Sequence, residues 1–192
     1  MRIPILVAWL VSSVLSSAAV AQVGTTGNNG REEFSAIAVG GGGPFTSPVA
    51  TNLDIVIERW TTDAERQRLL EALKQGQRAA LEVVRDLPRV GYIRTPGSLA
   101  WDLHYAHQMP GEDGGRRIFL ATDRPISFAE EVGRPRTIEY PFTFVEMRVD
   151  EDGNGEGKLS RATKVVASDD GRFVQLENYE VQPVELSEVK RR

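Results

Sequence analysis

Downstream of Pro88 the chain breaks into short runs rich in β-branched and aromatic residues, and the breaks share one chemistry. Glu112-Asp113-Gly114-Gly115, Asp152-Gly153-Asn154-Gly155 and Asp169-Asp170-Gly171 each place an Asp or Asn beside glycine, a pairing suited to the positive backbone torsions of tight hairpins. Runs joined in this way pair antiparallel with their neighbours, as a meander. The pattern predicts strands over 89–94, 99–108, 115–122, 138–149, 158–167, 172–179 and 184–189. Within 138–149, Ile138, Tyr140, Phe142 and Phe144 share one parity while Val145, Met147 and Val149 share the other, so a bulge is expected near Phe144. Pro141 in that run points to an edge or a bulge, because a central strand needs its amide proton.

Upstream, Leu53, Ile55 and Ile57 alternate with Asp54, Val56 and Glu58, the period of two of a half-buried strand over 50–60. A first strand is expected over 33–39, closed by a loop opening at Gly40-Gly41-Gly42-Gly43-Pro44. Thr62-Asp63-Ala64-Glu65 has capping-box spacing, and Leu69, Leu70 and Leu73 follow as an apolar stripe. Gly76 interrupts that stripe in a left-handed cap, and Ala80, Leu81, Val84 and Leu87 resume it up to Pro88. The fold class expected is α+β: a mostly antiparallel, curved sheet or open barrel of about eight or nine strands, with a short helical insert near residues 62–87.

The start of the chain has a different character. Arg2 precedes an apolar stretch, and Ala19-Val20-Ala21 supplies small residues at the spacing of a signal-peptidase site. Residues 1–21 are read as a signal peptide, 22–32 as a flexible tether of Gly, Thr and Asn, and 33–192 as a single α+β domain. The apolar stretch is too short to be a retained membrane span, and no second one follows it, so no transmembrane segment is expected after cleavage. Periplasmic or extracellular location follows from that reading.

The chain has no cysteine, which removes disulfides, thiolate metal sites and cysteine nucleophiles. A net charge of −4, with both signs interspersed, argues against nucleic acid as a partner. Gly40 to Gly43 are not followed by the Gly-Lys-Ser/Thr of a phosphate loop, and Ser98 lacks the second glycine of a nucleophile elbow.

Candidate chemistry rests on three groups. As a strand, Trp101-Asp102-Leu103-His104 puts Asp102 and His104 on one face, where they could form an acid–base or metal pair. Tyr92, Arg94, Trp101, Arg116 and Arg117 are candidate binding residues, because arginines converging inside a concave sheet would hold a carboxylate or phosphate. Asp150-x-Asp152-x-Asn154-Gly155 copies the first half of a calcium loop, but Arg161 stands where the bidentate carboxylate belongs, and a hairpin turn is the favoured reading. No cofactor is expected, calcium at this loop being the one the pattern leaves open.

The run 87–97, then Trp101-Asp102-Leu103-His104-Tyr105-Ala106 and Leu176-Glu177-Asn178-Tyr179, resembles a group of small exported bacterial proteins without an assigned function. The resemblance implies export and supplies no site residues. The reading that follows is a non-catalytic exported domain that binds a small molecule or an envelope partner in a sheet cavity or on a sheet edge. Its alternatives are a hydrolase-type or metal-dependent enzyme using Asp102 and His104, and a structural envelope or assembly protein.

Overall fold

The computed structural model describes residues 30–40, 49–111, 114–124, 126, 143–161, 164–167, 174–177 and 183–192. The expected signal segment, nearly all of the tether, Gly41 to Pro44, Pro141 and the Asp169-Asp170-Gly171 turn lie outside the described residues.

The elements run β1 (Glu32–Gly40), β2 (Val49–Ile57), α1 (Asp63–Gln75), α2 (Gln77–Asp86), β3 (Gly91–Arg94), β4 (Trp101–Leu103) and β5 (Tyr105–Pro110). Then follow β6 (Arg116–Thr122), β7 (Thr143–Val149), β8 (Asn154–Arg161), β9 (Lys164–Ala167), β10 (Val174–Glu177) and β11 (Val184–Arg191). A 9-stranded sheet has the order β4-β3-β2-β1-β11-β8-β7-β6-β5, antiparallel throughout. Its two ends are consecutive in the chain. The run expected as one strand over 99–108 bends at His104, so that β4 pairs with β3 and β5 with β6, while the His104 amide donates to the Ala121 carbonyl at 3.0 Å. A single bent segment therefore draws both ends of the sheet into a nearly closed barrel, which leaves little free edge.

The run expected as one strand over 158–167 is also two. β9 pairs with β10 in a separate two-stranded ribbon, and β9 lies against the helices α1 and α2. Among the described residues no bulge occurs near Phe144, since β7 keeps an unbroken register with β6 and β8 from Thr143 to Val149; residues 138–142 of the expected run lie outside them.

Alternation along each strand builds the core. Phe34, Leu53, Ile55, Ile57, Ile93, Leu103, Ile118, Leu120, Met147 and Leu159 point inward and are fully or almost fully buried. A barrel of roughly eight strand positions is just wide enough to be filled by such side chains, and burying each contributes about 2 kcal/mol. The inside of the barrel is thus its hydrophobic core. A second apolar layer lies outside, where Leu69, Leu70, Leu73, Ala80 and Val84 of the helices pack on Tyr105, Ala121, Phe119 and Phe144.

The capping box forms: Thr62 Oγ1 accepts from the Glu65 amide, and Glu65 Oε2 accepts from the Thr62 amide. Gly76 separates the helices with φ +114° and ψ 170°, so the break uses an extended glycine conformation instead of the left-handed cap expected. In β11 the register slips between Leu186 and Val189, which lets both face inward despite their odd spacing. Glu188 sits in that slip at φ 49°. Glu188→Gly is expected to stabilise the fold by about 0.5–1 kcal/mol, because glycine adopts this torsion without the Cβ penalty. Urea unfolding checks it, and a lowered midpoint would show that the slip carries no backbone strain.

Candidate functional site

The β3–β4 hairpin carries a cluster of polar and charged side chains. Antiparallel register sets Arg94 opposite Asp54 and Tyr92 opposite Asp102. Arg89, just before β3, bonds Glu58 at 2.7 Å and Asp102 at 3.3 Å, and those bonds, Glu58 first, hold its guanidinium more firmly protonated than usual. Arg94 Nε donates to Asp54 Oδ2 at 3.2 Å. Both guanidiniums lie over the Tyr92 ring, at 5.7 and 5.9 Å from its centroid, an arrangement in which cation–π attraction adds to the ion pairs. The hairpin tip is stiff: Pro96 and Gly97 (φ 76°) occupy the centre of a turn closed by the Ser98 amide on the Thr95 carbonyl, with the Ser98 hydroxyl bonded to Thr95. Just past it, Leu99 is 91 % exposed.

Tyr92, Arg94 and Asp102 therefore belong to one outer surface. Trp101, on the opposite parity, is half-buried against the barrel core. Arg116 and Arg117 are neighbours on β6 and point to opposite sides. Arg116 donates to both carboxylate oxygens of Glu32 (3.0 and 2.8 Å) and to Gln108 Oε1 (2.7 Å) at one end of the barrel interior. Arg117 bonds Glu146 at 2.7 Å and covers Phe119 outside. The candidate arginines are thus dispersed into separate pairs.

Asp102 and His104 also have separate partners. The bend at His104 turns its ring away from the hairpin, and Nδ1 lies 3.0 Å from the Leu87 carbonyl behind α2. A carbonyl only accepts, so that bond places a proton on Nδ1 and aims Nε2 outward. Nε2 faces Asp123 Oδ1 at 3.8 Å, at the end of β6. Sequence reasoning missed Asp123 as the partner, because β6 reaches His104 through sheet closure, for which local spacing carries no signal.

The calcium-like segment is a hairpin turn. The Gly153 amide donates to the Asp150 carbonyl, Gly153 has φ 84°, and Asp150 Oδ1 accepts from the Asn154 amide at 2.8 Å. Asp150 thus spends a carboxylate oxygen on holding the turn. Among the described residues, no three His, Cys, Asp or Glu side chains are grouped as a metal would need.

Beneath α1, burial holds His107 below the ordinary histidine range, with Arg66 adding to the effect and Asp63 opposing it. Burial likewise raises the Tyr105 hydroxyl to about 12, against smaller opposing contributions from Arg66. Unfolded tyrosine ionises near 10 and the folded group near 12, so the unfolded chain loses its proton first and native stability falls as pH rises between those values. The loss expected is roughly 2–3 kcal/mol, and Tyr105→Phe should flatten it. Urea titrations from pH 9 to about 12 test this; an equal slope in the variant would place the alkaline sensitivity elsewhere.

The fold defines the class: an antiparallel barrel closed on an apolar core, carrying two helices on one side. No family model, curated protein or solved structure matches the chain. Among the described residues, no helix is long and apolar enough to cross a membrane.

Proposed function

We propose that the chain is an exported, non-catalytic binding domain that engages a partner through the outer face of the β3–β4 hairpin. The observation carrying this reading is Tyr92 with the guanidiniums of Arg89 and Arg94 over its ring, near Leu99, which is exposed just past a hydrogen-bonded turn. Tyrosine and arginine dominate binding hot spots, and a turn already ordered costs little entropy when a partner docks. The filled barrel interior favours the outer surface over a cavity for binding. Asp102, bonded to Arg89, joins this surface instead of serving His104 as an acid–base partner. Export rests on the signal-like residues 1–21, and amino-terminal sequencing of the processed protein should begin at Gln22.

The test is a photo-crosslinking side chain introduced separately at Leu99, at Arg94 and at Glu185 on β11, in protein expressed in its source cell. The expected result is one adduct of the same mass at Leu99 and Arg94, absent at Glu185 and weakened by Tyr92→Ala. Adducts that are absent, or equal at all three positions, would refute the hairpin as a docking face.

A further inference from the structure

Away from the hairpin, three basic side chains surround the Asp123 carboxylate at ion-pair distances, none of them in a direct hydrogen bond to it. The end of β6 brings Asp123, the bend between β4 and β5 brings His104, the last turn of α2 brings Arg85, and Arg124 follows β6. His104 Nε2 and Arg124 Nε lie 3.8 and 3.7 Å from Asp123 Oδ1, and Arg85 Nε lies 3.7 Å from Oδ2. Each separation is longer than a hydrogen bond, so the polar hydrogens and lone pairs of these groups are open to a further oxygen placed beside the pairs. His104 and Asp123 are largely shielded, with 18 and 16 % of their side chains exposed, whereas the arginines reach into solvent.

The chemistry of these groups is specific. In the neutral imidazole Nε2 accepts, as the Asp123 carboxylate does, and the two guanidiniums only donate. A group that satisfies them together must offer a hydroxyl proton to the acceptors and negatively charged oxygens to the arginines. We propose that His104, Asp123, Arg85 and Arg124 form a binding site for a protonated oxyanion, of which hydrogen phosphate is the simplest. The P–OH bridges Nε2 and Asp123, and the ionised oxygens face Arg85 and Arg124. Sulfate has the same shape but no proton at neutral pH, so it would set a bare oxygen against the carboxylate. Facing two acceptors without a proton between them should weaken sulfate about tenfold or more relative to phosphate. The site is distinct from the β3–β4 hairpin and does not depend on its role.

With two histidines in the chain, ring NMR resolves the test. Titration of the protein with inorganic phosphate at constant ionic strength is expected to shift the His104 ring signals in a saturable manner and to leave those of His107 in place. Sulfate should leave both unchanged over the same range. Arg85→Gln, at an exposed helix position, should lose the phosphate response with an intact fold, and Asp123→Asn should lose the discrimination between the two anions. Methyl phosphate tells the sources apart: a response equal to that of inorganic phosphate assigns the site to phosphomonoester groups, and a lost one assigns it to the free ion. Equal responses to phosphate and sulfate, or no His104 response to phosphate, would overturn the proposal.

Discussion

Gly91→Ala is expected to destabilise the fold by about 3 kcal/mol or more, because an added methyl group would land on the backbone of the neighbouring strand. A Cβ at Gly91 meets the Val56 carbonyl oxygen, with the Val56 carbonyl carbon and the Ile57 Cα close behind. None of these atoms is the far end of a flexible side chain, so relief requires the β2–β3 pairing itself to move. The same holds at Gly155, where the Arg148 carbonyl oxygen occupies the Cβ position across the β7–β8 pair. Both glycines sit where a strand must coil tightly to keep a small barrel closed. Near Gly91 the Glu58 and Arg59 amides both donate to the Val90 carbonyl, the mark of a local bulge. Gly97→Ala is the control. It has positive φ but nothing within 4 Å, so only torsional strain of about 1 kcal/mol applies. Urea unfolding of the three variants checks the ranking, and comparable midpoints for Gly91→Ala and Gly97→Ala would show that the strands can part at little cost.

The second large effect is expected at the polar plug in the end of the barrel. Glu32 is 6 % exposed and its two carboxylate oxygens meet the two terminal nitrogens of Arg116, whose position Gln108 also fixes. Arg116→Met removes two charge-assisted hydrogen bonds from a buried carboxylate and should cost about 3 kcal/mol. Glu32→Gln keeps the shape but removes the charge, and should cost less than the arginine deletion. Replacing both ends, as Glu32→Met with Arg116→Met, should recover part of the loss, since two apolar side chains incur no desolvation penalty at a site adjoining the hydrophobic core. Denaturation of the wild type, Glu32→Met, Arg116→Met and the double variant forms a double-mutant cycle. Additive losses would show that the two residues act independently.

Much of this fold is legible one segment at a time. Alternation in 50–60, the capping box at Thr62 and Glu65, the glycine break at Gly76 and the Asp150–Gly155 turn are local, because each depends on torsions or hydrogen bonds within a few residues. The extended-strand reading of 99–108 fails at His104, where both halves of a continuous β pattern are satisfied by different partners. Propensity reports whether a residue fits a pleated surface and says nothing of which strand lies beside it.

The candidate site divides in the same way. Local pattern marked Tyr92, Arg94, Asp102 and His104 as residues with chemistry to offer. Register then joined Asp102 to the arginine and tyrosine surface, and closure of the barrel gave His104 a different carboxylate, Asp123. Pairing between segments distant in sequence is set by burying every inward face at once, so no spacing along the chain encodes it. By itself the sequence determined a cysteine-free antiparallel domain with a helical insert and polar residues on its strands. Only the tertiary structure decided that the barrel interior is core and that the candidate residues divide between separate outer surfaces and one end of that interior, because closure of the sheet assigns each side chain to the inside or the outside and chooses its neighbours.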